Sequence, residues 1–200
     1  MWVRGAAIRP VPSYAVVGRD VLDAVEDELA NSSSSPQGRG SPKSDLDDAF
    51  GRFERTQGAL AAHVAHVLAR PLDETALALG YFLTIAVWLA FERAFASRLR
   101  EVAESELEAA EKALELEEEL RAAHATEPLD TDDVMAIEQP GILAFINEHV
   151  DAALEPTDAD ARDVDVDDVH QVYRTVLVMT LALSHAVSPT SGTRPRELLA

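Results

Sequence analysis

Residues 75–91, TALALGYFLTIAVWLAF, run for seventeen positions without a charged side chain. A helix that is apolar on every side has to be surrounded, either by other helices or by lipid. At ~1.5 Å per residue such a segment covers only about 25 Å, short of a hydrocarbon layer of about 30 Å. Asp73 and Glu74 stand just before it, and Glu92 and Arg93 follow at once. A second apolar stretch, TVLVMTLALSHAV at 175–187, has only thirteen residues. Two helices of this kind suit the centre of a soluble bundle. The alternative is a small membrane-associated helical protein with Arg93, Arg98 and Arg100 on the cytoplasmic side.

The rest of the chain offers helices to wrap such a centre. Residues 13–30 read as a first helix, with Val17, Val21, Val25 and Leu29 every fourth position and Gly18 blurring its start. NSSSSPQGRGSPKS, residues 31–44, has the composition of a flexible Ser/Gly/Pro linker. A second helix is expected from Asp45 to Ala69. Its stripe of Leu46, Phe50, Phe53, Gln57, Leu60, Val64 and Val67 alternates spacings of four and three, and Gln57 is its one polar member. Arg70-Pro71 ends it.

From Asp73 to His124 there is one glycine, Gly80, and no proline. The expectation is a long third helix, all-apolar at first and amphipathic later, with Asp73 as its N-cap. Phe95, Leu99, Val102, Ala109, Ala113, Leu116 and Leu120 mark the expected inner face of its second half. A break near 98–104 is the one interruption the pattern admits. A fourth helix begins at Pro140, a residue well tolerated at the first helical position, and stops before Pro156. A fifth runs from about Asp168 to Val187. No internal repeat and no strand is legible. The fold class is therefore all-α, a soluble bundle of about five helices with a long, partly amphipathic third helix. Residues 1–30 form an N-terminal segment with one helix, 31–44 a linker, 45–187 the helical core domain and 188–200 a mobile C-terminal tail.

Charge is unevenly placed. The net charge is −19, and residues 101–169 hold 23 acidic against 3 basic side chains. Such a field repels nucleic acid and anionic lipid, and it attracts cations and basic protein surfaces. Uniform adaptation to high salt would spread acid over the whole chain, yet residues 1–43 carry 5 basic and 5 acidic groups.

Chemistry is sparse. Cysteine is absent, which removes disulfides and thiolate sites and fits a reducing, cytoplasmic setting. The start, MWVRGAAIRPVP, has no apolar run of signal-peptide length and is read as carrying none. His63 and His66 share a helix face and are the only metal candidates by spacing. No histidine is preceded three positions earlier by the glutamate that carboxylate di-iron bundles need. Asp163, Asp165 and Asp167 open like a calcium loop, but Asp168 and Arg174 occupy the places of its glycine and bidentate glutamate. Ser184 and His185 are adjacent and point apart, so they do not pair as nucleophile and base.

These observations favour a non-enzymatic protein–protein interaction module without a cofactor. Its acidic surface, residues 101–169, would meet a basic partner or serve self-association as a homo-oligomer. The contact residues expected are Glu115, Glu117, Glu118 and Glu119, with Asp163, Asp165, Asp167 and Asp168. An enzyme with a metal or polar site between helices is the alternative.

Overall fold

Two helices that the sequence pattern makes continuous are cut, at Gln57 and at Ala96. In the computed structural model, which describes residues 10–34, 42–123, 138–155 and 164–190, the described residues form seven α-helices and no strand. They are α1 (Arg19–Ser34), α2 (Pro42–Thr56), α3 (Gly58–Leu68), α4 (Glu74–Phe95), α5 (Glu104–Ala123), α6 (Pro140–Leu154) and α7 (Val166–Ala186). Short 3-10 turns, Ser13–Ala15 and Ala96–Arg98, precede α1 and α5.

The expectation of a long third helix is corrected: residues 73–124 form two helices. Ala96 adopts φ 46°, ψ −120°, a left-handed conformation that costs an L-residue strain and stops α4. The chain then runs extended beside the end of α7. Leu99 and Val187 form an isolated antiparallel bridge, Arg100 N–H donates to the Ala186 carbonyl at 3.2 Å, and Ser188 N–H donates to the Arg98 carbonyl at 2.8 Å. Ala103 then serves as the N-cap of α5. Its carbonyl accepts from Glu106 and Leu107, while the Glu106 carboxylate reaches back to the Ala103 N–H at 3.1 Å.

The second expected helix is divided as well, into α2 and α3. Gln57 takes φ −136°, ψ 54° at the junction and is only 2% exposed. A buried amide must find partners, and this one finds them on the extended segment before α5. Its Oε1 accepts from Val102 N–H at 2.9 Å and its Nε2 donates to the Arg100 carbonyl at 3.2 Å. The expected count of five helices becomes seven because two long elements are each cut once.

Other boundaries follow local chemistry. Asp73 caps α4 by accepting from Thr75 and Ala76 N–H at 2.7 and 2.9 Å. Asp165 caps α7 by accepting from Asp167 N–H at 2.9 Å. Pro140 opens α6 as expected. The Ser/Gly/Pro stretch is helical at both ends, since α1 runs to Ser34 and α2 starts at Pro42; residues 35–41 lie outside the described residues.

One hydrophobic core joins all of these helices. α4 and α7 pack against each other at its centre, and Leu83, Val87, Trp88 and Phe91 of α4 and most of Val172–Leu183 of α7 are buried. Gly80 permits the close approach: an added Cβ would stand 2.6 Å from Leu68 Cδ2 and 3.3 Å from Val172 Cγ2. α1 contributes Leu22 and Val25 to the same core, so the N-terminal helix is part of the bundle. The hydroxyls buried in α7 bond back along their own helix, Thr180 to Val176 and Ser184 to Thr180, at 2.8 and 2.7 Å. The segment Glu74–Arg98 passes a membrane-span test by length and composition, yet 61% of its apolar window is buried inside this fold.

Candidate functional site

α5 turns one narrow stripe inward. Leu107, Ala110 and Leu114 are buried, in contact with the α3–α7 side of the bundle. Its remaining surface is acidic: Glu104, Glu108, Glu115 and Glu119 are exposed, and Lys112 is the one lysine or arginine among its described side chains. Lys112 Nζ lies 3.7 Å from Glu108 and is itself strongly exposed, a contact of small energetic weight. At the head of the helix, Glu106 is held by Arg100, whose Nη1 donates at 2.6 Å, and this pairing keeps the carboxyl below its usual range.

α1 has a similar density of acid but a different balance. Arg19 reaches both Asp23 and Glu148 at 2.6 Å, Arg93 pairs with Glu28, and His149 lies 3.2 Å from Glu26. Asp23, Glu26 and Glu28 of α1 thus meet bases from its own and neighbouring helices, while Asp20 and Asp27 are exposed and meet none among the described residues. On α5, Glu104, Glu115 and Glu119 have no such match among the described residues.

The other expected contact residues divide by position. Glu117 and Glu118 lie within α5, but their side chains, like residue Asp163, fall outside the described residues. Asp165 and Asp167 are exposed at the start of α7, while Asp168 is half-buried. The Asp168 carboxylate and the Asp165 backbone take part in a lattice that joins the positive ends of α4 and α7. Asp73 N–H donates to Asp168 Oδ2 at 2.7 Å, and Asp165 N–H donates to Asp73 Oδ2 at 3.1 Å. Carboxylates in these places answer unpaired amides and the helix dipoles.

No family model, curated protein or solved structure matches this chain.

Its site has to be judged on geometry alone. Among the described residues no three histidine, aspartate or glutamate side chains converge to hold a metal. His63 is half-buried with Nδ1 3.1 Å from Glu111, and His66 is exposed. Burial lowers the His63 pKa and outweighs the opposing pull of Glu111. An open groove lies over Glu74, Thr75, Ala78, Leu79 and Phe82 of α4 and Ala153 of α6. Glu74 is the only titratable group in its lining, so it does not assemble an acid–base pair.

The sequence signalled Gln57 as an odd polar residue in an apolar stripe but not what it holds. Gln139 went unnoticed. It is fully buried, its Oε1 accepts from Val17 N–H at 3.0 Å, and its Nε2 donates to the Ala15 carbonyl at 2.8 Å and to Ser184 Oγ at 2.9 Å. Only its place directly before the Pro140-Gly141 helix start hinted at a structural role.

Proposed function

We propose that the protein is a non-enzymatic helical interaction module that offers the outer face of α5 to a basic protein surface. The observation that carries this reading is the unpaired acid on the outer face of α5. Beyond the paired Glu106, Glu108 and Glu111, α5 leaves Glu104, Glu115 and Glu119 in solvent without a base among the described residues, whereas α1 pairs Asp23, Glu26 and Glu28 and leaves Asp20 and Asp27. Unmatched like charges on a rigid helix repel one another until a counter-charge arrives, which favours capture of a basic surface and speeds encounter. At the start of α7 the Asp168 carboxylate serves the joint with α4 and the Asp165 carboxylate caps its own helix, so the contact is centred on α5.

The test uses an arginine-rich peptide as a defined basic probe. Replacing Glu115, Glu117, Glu118 and Glu119 with glutamine removes four charges of α5, Glu115 and Glu119 among them exposed. At a few tenths of a kcal/mol each this weakens binding by roughly tenfold and flattens its salt dependence. A set of equal size on α1, Asp20, Asp23, Asp27 and Glu28 replaced by their amides, is the control and weakens binding less. Equal loss from both sets, or none from either, refutes a dedicated face on α5.

A further inference from the structure

We infer that the chain consists of two copies of one helical unit, fused in tandem and clasped together as an internal dimer. The argument starts from the two buried glutamines. Gln57 and Gln139 adopt the same rare backbone conformation, φ −136°, ψ 54° and φ −135°, ψ 55°, and each stands directly before a helix. Each uses its carboxamide in the same way. Oε1 accepts the N–H of a valine and Nε2 donates to the carbonyl two residues earlier: Val102 and Arg100 for Gln57, Val17 and Ala15 for Gln139. Each gripped segment then leads into a helix, α5 or α1, after a 3-10 turn.

The correspondence extends through both halves. Aligning Val17 with Val102 places Leu22 on Leu107, Glu26 on Glu111 and Leu29 on Leu114. Aligning the N-caps Asp73 and Asp165 places Tyr81 on Tyr173 and Leu89-Ala90 on Leu181-Ala182. The packing obeys the same exchange. α1 lies on α4 and α6, and α5 lies on α7 and α3. α4 touches α6 as α7 touches α3, and α4 and α7, equivalent to each other, pair at the centre. Gly80 and Val172, which correspond, face each other there. The equivalent glutamates each meet a histidine of the other half, Glu26 with His149 at 3.2 Å and Glu111 with His63 at 3.1 Å. The counterpart of α2 falls on residues outside the described ones.

Each half therefore grips the other: Gln57 of the first holds the lead-in of α5, and Gln139 of the second holds the lead-in of α1. The surface that a single unit would offer to a second copy is consumed within one chain, and the chain is complete as a monomer. Divergence between the copies follows from this. In the same register Arg19 of α1, which pairs with Asp23 and Glu148, falls on Glu104 of α5.

The two junctions must then be interchangeable. The first half passes into the second through Ala96-Ser97, and the equivalent positions at the other junction are Ser188 and Pro12. Both ends already meet one residue: Arg98 Nη2 donates to the Tyr14 carbonyl at 3.0 Å and the Arg98 carbonyl accepts from Ser188 N–H at 2.8 Å. Two permuted chains test the idea. One begins at Ser97, runs to Ala200, continues into Met1 and ends at Ala96, keeping every residue. The other joins Ser188 directly to Pro12 with nothing between. Both are expected to be helical monomers by circular dichroism and light scattering, with urea midpoints within about 1 M of the parent. Neighbouring ends alone would tolerate a permutation with slack; only equivalent junctions predict that none is needed. The inference is overturned if the full-length permutant does not fold, if the direct fusion loses the fold that the longer one keeps, or if the parent is a stable dimer.

Discussion

Gln57 holds Val102 across the bundle: its Oε1 accepts the Val102 N–H at 2.9 Å, while its Nε2 caps the Arg100 carbonyl two residues earlier. A side chain thereby takes the place of a neighbouring strand for a segment that has almost none. Replacing Gln57 with leucine keeps the volume but leaves two buried backbone groups without partners. The expected loss is about 2–4 kcal/mol, read as a lower urea midpoint. Gln139→Leu, which also strands Ser184, is expected to cost at least as much. A loss below about 0.5 kcal/mol in both would show that water replaces the amides at no cost.

Trp88 reports what surrounds the apolar helix. Its side chain is 1% exposed, with the Phe53 ring centroid 5.6 Å away and Arg52 over its face at 5.5 Å. The other tryptophan of the chain is Trp2. In a Trp2→Phe variant, emission should be short in wavelength and resistant to acrylamide in plain buffer. If shielding appears only when detergent is added, lipid and not protein wraps α4. Trp88→Ala should destabilise the fold by about 3–5 kcal/mol.

Glu106 gives the acid limb of the stability profile a definite sign. Arg100 holds its carboxyl below its ordinary value of 4.5, so the unfolded chain binds more protons there. The contribution is present above about 4.5 and disappears as pH falls through the lower folded value. Glu106→Gln should therefore flatten the fall in urea midpoint between pH 5 and pH 3. An unchanged slope would assign the acid sensitivity to other carboxylates.

His63 acts in a higher window. Burial holds its pKa below 6.5, so the folded state favours the neutral ring and the unfolded state takes up the proton first. Its contribution is present above about 6.5 and is lost as pH falls through the folded value. His63→Phe should make stability less dependent on pH between 7 and 5, measured by denaturant midpoints. A steeper dependence in the variant would mean that Glu111 stabilises a charged ring instead.

Gly80 sets the distance between α4 and α7. Gly80→Ala brings a methyl to 2.6 Å from Leu68 Cδ2, and accommodating it should cost about 1–3 kcal/mol, more than alanine's better helix propensity returns. Adding Leu68→Ala should recover part of that loss. A more stable single variant would show that the Leu68 side chain turns aside freely.

The all-helical fold was legible from periodicity: α4 begins at its expected cap Asp73, α6 runs from Pro140 to just before Pro156, and α7 ends beside the expected Val187. The break at Gln57 was not, and the interruption that the pattern admits near 98–104 starts earlier, at Ala96. Nothing in an alanine announces a positive φ, and the segment after it is held by bonds to residues 57 and 186–188, remote in sequence. The missed break had a second effect. Carrying one helical phase through 96–103 put Ala109, Ala113 and Leu116 on the inner face of α5, whereas Leu107, Ala110 and Leu114 are the residues buried. The exposure of Glu115 and Glu119 survived that error, because a helix so rich in acid shows it on most of its surface. The repeat stayed hidden because the copies agree at few positions, and the decisive pair, Gln57 and Gln139, declares itself only through what it touches.

Arg98 has a mechanical consequence. It bonds to Tyr14 near one end of the described fold and to Ser188 near the other. A tether pulled between those ends would load a single arginine first and peel the structure open from that point, rather than shearing its helices along their length. Such a molecule should yield at low force despite its filled interior.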